Sequence, residues 1–308
     1  MTRPTFDPGL TQQYTGTLRR SINRDGSFNV RRRGGSWRHL HPYLTMLNMN
    51  WTEFFMVVFA AYFAVNLLFA TCYYLLGPEA LRGAAVGSDR HRFWTDFFFS
   101  AHTLTTVGYG NVSPASLGAN VLSVIEALSG LLGVALATGL LFGRFSRPSA
   151  RIAFSERMLV APYQERTSAQ FRILNLRPNV LMDIQAHLVL MTVEGPPGAM
   201  ARRYQQLKLE REDLYFLALS WTIVHPIDQD SPLFGKTRAD LERLQAEFVV
   251  MIKAYDDTFA QAVHARYSYR FDELVWEARF QPAFEMDGDG NMILNVDRVS
   301  NFTAGAGI

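Results

Sequence analysis

Five consecutive residues, Thr106-Val107-Gly108-Tyr109-Gly110, carry the clearest chemistry in the chain. Such a run can turn consecutive backbone carbonyls, with the threonine hydroxyl, toward one axis, where they replace the water shell of a small cation. Glycine at 108 and 110 fits that task. Directing successive carbonyls to one side requires alternating backbone conformations, including positive φ, which a residue without a Cβ adopts at little cost. One loop supplies one wall only, so a ring of carbonyls needs about four copies around a rotation axis, and the expected working unit is a homotetramer. A tight turn between two helices would also use glycine. It would need neither the aromatic stretch before this motif nor the long apolar segments on both sides.

Those flanking segments have the lengths of membrane elements. Phe54 to Gly77 holds no charged residue and exceeds the about 20 apolar residues that cover a ~30 Å hydrocarbon core. Leu117 to Phe145 is a second span, with Glu126 as its only acid. Between them Pro78 to Arg92 reads as an outer loop. Phe93 to Leu104, with Trp94, Phe97, Phe98 and Phe99, is too short to cross and reads as a re-entrant helix wedged among other helices. Asn66, the one strongly polar side chain of the first span, is expected to hydrogen-bond between helices. Cys72 is the only cysteine, so no intrachain disulfide is possible, and its apolar setting suits a small packing residue.

Before the first span, residues 1–36 are rich in Gly, Ser, Asn, Arg and Pro without an apolar period and are expected to form a disordered cytoplasmic tail. No apolar core follows the basic start early enough for a secretory leader. Residues 37–50 place Trp37, Leu40, Tyr43 or Leu44, and Leu47 at helical spacing and predict an amphipathic helix lying in the membrane interface. Arg31, Arg32, Arg33 and Arg38 precede the first span, and Arg144, Arg147 and Arg151 follow the second. Arginines on one side of both spans orient a multi-pass protein with both termini in the cytoplasm. The net charge of +2 offers no argument for nucleic acid.

After the pore region, residues 51–150, the pattern changes. Residues 151–298 show short alternating runs at Gln170–Leu176, Ile184–Val193, Tyr204–Leu209, Tyr215–Val224, Phe248–Ala254, Val263–Tyr269, Leu274–Phe284 and Met292–Val296, which predict an all-β sandwich. Asp240 to Gln245 reads as one short helix, and residues 299–308 as a C-terminal tail. Asp287-Gly288-Asp289-Gly290-Asn291 reads as a hairpin turn, because an EF-hand loop would need glycine and an acid where Met292 and Arg298 stand. His187, His225 and His264 lack metal-ligand spacing. No nucleophile elbow, phosphate loop or dinucleotide fingerprint is present, so the chain reads as no enzyme.

Residues 37 to 297 resemble the prokaryotic inward-rectifier potassium channels (KirBac). The likeness rests on the interfacial helix, the spans, the Thr106–Gly110 loop and the Arg144-Phe145-Ser146-Arg147-Pro148 exit. It extends to Ser220-Trp221, His225-Pro226-Ile227-Asp228 and Ser231-Pro232-Leu233. The resemblance implies a passive, gated channel of the bacterial inner membrane, with K+ as permeant ion, no cofactor, and a cytoplasmic immunoglobulin-like sandwich whose tetramer extends the pore. It makes Thr106 to Gly110 the selectivity filter and Gly130 the flexible glycine of the inner helix. Val134 takes the position at which strong rectifiers hold an acid, and Phe142 that of the ring closing the bundle crossing. These positions and Thr138 lie at four-residue steps from Glu126, roughly one helix stripe, although Val134 and Phe142 would also suit lipid-facing or core packing. An apolar Val134 implies weak block by internal polyamines or magnesium.

Glu126 would lie behind the re-entrant helix, paired or protonated. Phe259, Ala260 and Ala262, within a loop from Thr258 to Ala265, match the family's cytoplasmic constriction. The seven arginines match the region that meets phosphoinositide or other anionic lipid headgroups, with the sign of the effect open. One departure concerns His102, which stands where many relatives hold Glu, while Asn111-Val112 replaces the expected basic partner. His102 then either makes a neutral hydrogen bond that supports the filter or packs as a satisfied histidine. A different class of function is a membrane-anchored β-sandwich that docks partners around a non-conducting pore.

Overall fold

Helix starts and stops written in the sequence divide the first half of the chain. Asn50 caps α2 (Trp51–Leu76), and the Glu53 carboxylate three residues on accepts the Asn50 N–H at 3.0 Å. Gly77, at φ 100°, ends the helix. Ser116 starts α4 (Leu117–Phe145) by accepting the Ala119 N–H at 3.1 Å. At 1.5 Å per residue α2 and α4 are about 39 and 44 Å long, enough to span a bilayer, whereas α3 (Asp89–Leu104) reaches only about 24 Å. Short α1 (Pro42–Asn48) precedes them, and β1 (Leu81–Arg82) pairs with β2 (Ser113–Pro114) across the α3 loop.

The computed structural model describes residues 7–14, 16, 20–30, 33–34, 41–84, 89–146, 150–196 and 198–305. These helices belong to one unit, Arg33–Arg147; Met1–Arg32 and Pro148–Ile308 make up the other.

The second unit is all-β. Its strands are β3 (Ile152–Phe154), β4 (Met158–Tyr163), β5 (Arg166–Asn175), β6 (Leu181–Glu194), β7 (Ala201–Leu207), β8 (Asp213–Leu217), β9 (Ser220–Ile227), β10 (Glu247–Asp256), β11 (Gln261–Arg270) and β12 (Leu274–Trp276). One sheet runs β11-β10-β6-β7 with β8 also on β6. The other runs β12-β4-β5-β3 with β9 on β5. Helix α5 (Arg238–Arg243) leads into β10, and the small strands β13 (Ala278–Phe280), β14 (Phe284–Met286), β15 (Met292–Leu294) and β16 (Phe302–Ala304) complete the chain. Alternation on β10 shows what builds the sandwich: Phe248, Val250, Ile252 and Ala254 are buried while Met251, Lys253 and Tyr255 are exposed. They meet Phe171 and Ile173 of β5 and Ile184 and Leu188 of β6 in one core, and each large apolar side chain contributes about 1.5–3 kcal/mol on burial.

Three expectations change. Residues 7–14 and 20–30 are not a free tail. Ile22 is buried, the Ser21 N–H and hydroxyl both donate to Glu247 at 2.8 Å, and Arg24 pairs with Glu273 at 2.9 Å. This anchorage runs through polar groups and backbone, so it leaves no apolar period in the sequence. The C-terminal tail contains β16, which pairs with β13. Tyr215–Val224 and Leu274–Phe284, each read as one strand, are broken into shorter ones, and β3 and β4 were not foreseen. The Asp287–Asn291 turn joins β14 to β15, with the Asp287 carboxylate accepting the backbone N–H groups of Asp289 and Asn291.

Candidate functional site

Helix α3 delivers the chain directly into Thr106–Gly110. The His102 carbonyl accepts the N–H groups of both Val107 (2.9 Å) and Gly108 (3.3 Å), and the Thr106 N–H donates to Thr103 at 3.0 Å. The first three residues of the segment are thus tied back to α3 through their N–H groups, and no backbone N–H of the described residues donates to its five carbonyls. Positive φ recurs at every second residue: 61° at Thr106, 54° at Gly108 and 83° at Gly110. Val107 and Tyr109 between them keep negative φ. That alternation turns successive carbonyls toward one side, an arrangement suited to coordinating a dehydrated cation. The two glycines take it at little cost, but Thr106 carries a Cβ. A β-branched residue pays about 1–2 kcal/mol there, held by its surroundings.

Around this segment the structure adds braces. A Cβ on Gly83 (φ 82°) would lie 2.1 Å from the Asn111 carbonyl oxygen, so the loop between α2 and α3 closes on the residue after Gly110. The His102 ring meets Tyr109 edge-on, centroids 4.8 Å apart. A cavity of about 170 Å³ lies there, with the neutral polar walls Thr95, Thr103 and Asn111. Glu126 of α4 is fully buried; it accepts the Tyr73 hydroxyl at 2.8 Å and meets the Ser100 hydroxyl. Ser100 also lies 3.3 Å from the side-chain oxygen of Asn66, which realises the expected contact between helices. One turn beyond Glu126, a Cβ on Gly130 would stand 1.9 Å from the Leu104 carbonyl oxygen. Gly130 therefore lets α4 touch the backbone at the end of α3.

A family model for the C-terminal domain of inward rectifier potassium channels matches residues 152–304, and one for ion channels matches residues 51–147. The chain is similar to the inward rectifier potassium channel Kirbac3.1 of Paramagnetospirillum magnetotacticum, at 36% identity over 91% of this chain and 94% of that protein. The chain belongs to the inward rectifier potassium channel family. It is also similar to the human ATP-sensitive inward rectifier potassium channel 14, at 28% identity over 91% of this chain and 69% of that protein.

Within this inward rectifier, Val134, Thr138 and Phe142 lie on an exposed stretch of the α4 surface of the protomer; Phe142 is 72% accessible. Arg144 is engaged inside its own unit: its guanidinium donates to the Met46 and Met49 carbonyls at 2.5 and 2.8 Å and stacks over Trp51 and Phe54. Arg33 and Arg151 are exposed, while Arg31, Arg32, Arg38 and Arg147 lie outside the described residues. The expected loop from Thr258 to Ala265 is shorter than foreseen. Phe259 and Ala260 (φ 50°) occupy the β10–β11 turn, whereas Ala262 already belongs to β11, opposite Tyr255. The buried Asp256 carboxylate holds this turn by accepting the Thr258 N–H at 3.0 Å and the Asn179 amide at 2.8 Å.

Two sequence motifs turn out to be one unit: His225 Nδ1–H donates to the Lys208 carbonyl at 2.6 Å, and Nε2 accepts the Ser231 hydroxyl at 2.8 Å. Burial holds the His225 pKa below its ordinary value. Gly83, Tyr73 and Ser100 escaped sequence reasoning, since each matters only for what it touches. Among the described residues no cluster of three metal-ligating side chains occurs.

Proposed function

We propose that four copies of this potassium channel assemble around one axis and conduct K+ through a filter made by the carbonyls and threonine hydroxyl of Thr106 to Gly110. The observation that carries this reading is the alternation of φ along the segment, with the N–H groups of Thr106, Val107 and Gly108 turned back toward α3. No carboxylate or catalytic group takes part; the permeant ion is exchanged between water and carbonyl oxygens. His102 and Glu126 support the filter from behind. The Phe142 rings of four protomers form a hydrophobic constriction that gates by dewetting, and Phe259, Ala260 and Ala262 surround a second, cytoplasmic one. Val134 brings no carboxylate to the pore, so internal polyamines and magnesium block weakly. The protein sits in the bacterial inner membrane with both termini in the cytoplasm. Anionic lipid headgroups modulate it through Arg33, Arg151 and the neighbouring arginines of the sequence.

The test is rubidium or potassium uptake into liposomes containing the purified tetramer, against sodium and a large organic cation, with and without barium, at two anionic-lipid contents. Barium-sensitive uptake favouring potassium is expected, changing with lipid charge. Absence of flux in every lipid from tetrameric protein overturns the reading in favour of a non-conducting docking role.

A further inference from the structure

Four polar side chains, Asn66 and Tyr73 of α2, Ser100 of α3 and Glu126 of α4, are buried together, none more than 1% exposed. No Lys, Arg or His of the described residues forms an ion pair with Glu126, whose partners are two hydroxyls. Counting protons decides its state. Ser100 has one hydroxyl proton but three acceptors around it: a Glu126 oxygen and, at 3.3 Å each, the side-chain and backbone oxygens of Asn66. If Glu126 were a carboxylate, the Ser100 proton would be spent on it. The Asn66 side-chain oxygen would then be left buried without a donor, and the negative charge would have no cation, both costly at membrane depth. If Glu126 carries a proton, every group is satisfied. Tyr73 donates to one carboxyl oxygen, the other oxygen donates to Ser100, and Ser100 donates to Asn66, whose own amide donates to the Tyr62 carbonyl at 2.9 Å.

We propose that Glu126 is a neutral carboxylic acid and the positioning residue of a one-way hydrogen-bond chain, Tyr73 to Glu126 to Ser100 to Asn66, that locks the re-entrant helix at the register needed for ion selection. The chain starts and ends on α2, two helical turns apart, and passes through α4 and α3 on the way. Four residues further along both helices, Gly130 meets Leu104. The two contacts step together, Ser100 with Glu126 and Leu104 with Gly130, so a lapse at the first shifts the backbone from which Thr106 departs.

This inference rests on Thr106–Gly110 being the filter, and its test separates the two ideas. Glu126→Gln keeps an acceptor oxygen for Tyr73 and an N–H donor for Ser100 and adds one further N–H; it is expected to retain most of the wild-type potassium-over-sodium flux ratio in liposomes. Ser100→Ala and Tyr73→Phe, which keep shape but break the chain, are expected to lower that ratio about tenfold, the scale on which one unmet buried group acts. Infrared difference spectra of the wild-type tetramer should contain a protonated-carboxyl C=O band that Glu126→Gln removes, a readout independent of conduction. Absence of that band, or a Glu126→Gln channel as impaired as Ser100→Ala, overturns the proposal. If the band is present while neither the wild-type tetramer nor any variant conducts, the protonation state stands and the filter reading falls.

Discussion

Replacing Gly130 by alanine tests whether close approach, rather than flexibility, is what this glycine provides. Alanine is the better helix former by about 1 kcal/mol, so at an open site in α4 the change should stabilise. Here the new methyl would lie 1.9 Å from the Leu104 carbonyl oxygen, 2.8 Å from its carbonyl carbon and 3.1 Å from its Cα. An ordinary carbon–oxygen contact is about 3.3 Å, so α4 and the end of α3 must separate by about 1.4 Å. All three obstacles are backbone and cannot rotate aside. Overpacking of this kind costs about 3 kcal/mol at the upper end of its range, which leaves a net loss near 2 kcal/mol, or about 30-fold in the equilibrium for the docked arrangement. Gly133→Ala is the control, since nothing lies within 4 Å of its missing Cβ in the protomer. Thermal unfolding of the tetramer and the potassium-over-sodium flux ratio should both fall for Gly130→Ala and hold for Gly133→Ala. A Gly130→Ala tetramer as stable and as selective as wild type, altered only in gating, would refute the close-approach argument.

Further outcomes follow from other contacts. Gly108→Ala meets no steric obstacle but must hold φ near 54°, so it should lose most potassium flux with the tetramer still assembled; full flux would mean that this φ is not needed. Arg144→Gln removes two charge-assisted hydrogen bonds to the Met46 and Met49 carbonyls, a loss of about 2 kcal/mol. It should loosen α1, visible as greater mobility of a spin label at Thr45 and a lower unfolding temperature. Phe142→Ala should raise basal flux without changing selectivity, which single-channel open probability will show. His225 is buried and its pKa is lowered. Above the ordinary histidine value of about 6.5, neither folded nor unfolded chain binds its proton. Below it the unfolded chain does, and stability falls by up to about 1.4 kcal/mol per pH unit until the lower folded pKa is reached. Urea unfolding at pH 7.5 and 5.5 should show that loss, with a smaller one for His225→Gln.

Much of the architecture is legible from residue order alone. Apolar length separates the two spanning helices from α3, alternation marks Phe248 to Ala254 as a half-buried strand, and Asp287 to Asn291 reads correctly as a turn, because these features express one element's need to bury one face. Spacing also singles out Thr106 to Gly110, and burial of Glu126 in the second span is foreseeable from its apolar neighbours. What only the folded chain decides is which elements meet. The positive φ of Thr106 is imposed from outside against its own preference, and the need for glycine at 130 arises from the Leu104 carbonyl across from it. Arg144, basic and next to a membrane span, reads as a lipid contact until α1 is seen to present its carbonyls to it. Residues 20–30 look free because Ser21 and Arg24 find their carboxylates more than 200 positions away, at Glu247 and Glu273. Periodicity records how far a residue must be hidden from water; a hydrogen-bond partner or a close backbone contact is a property of two segments at once, and only the tertiary structure brings the second one into place.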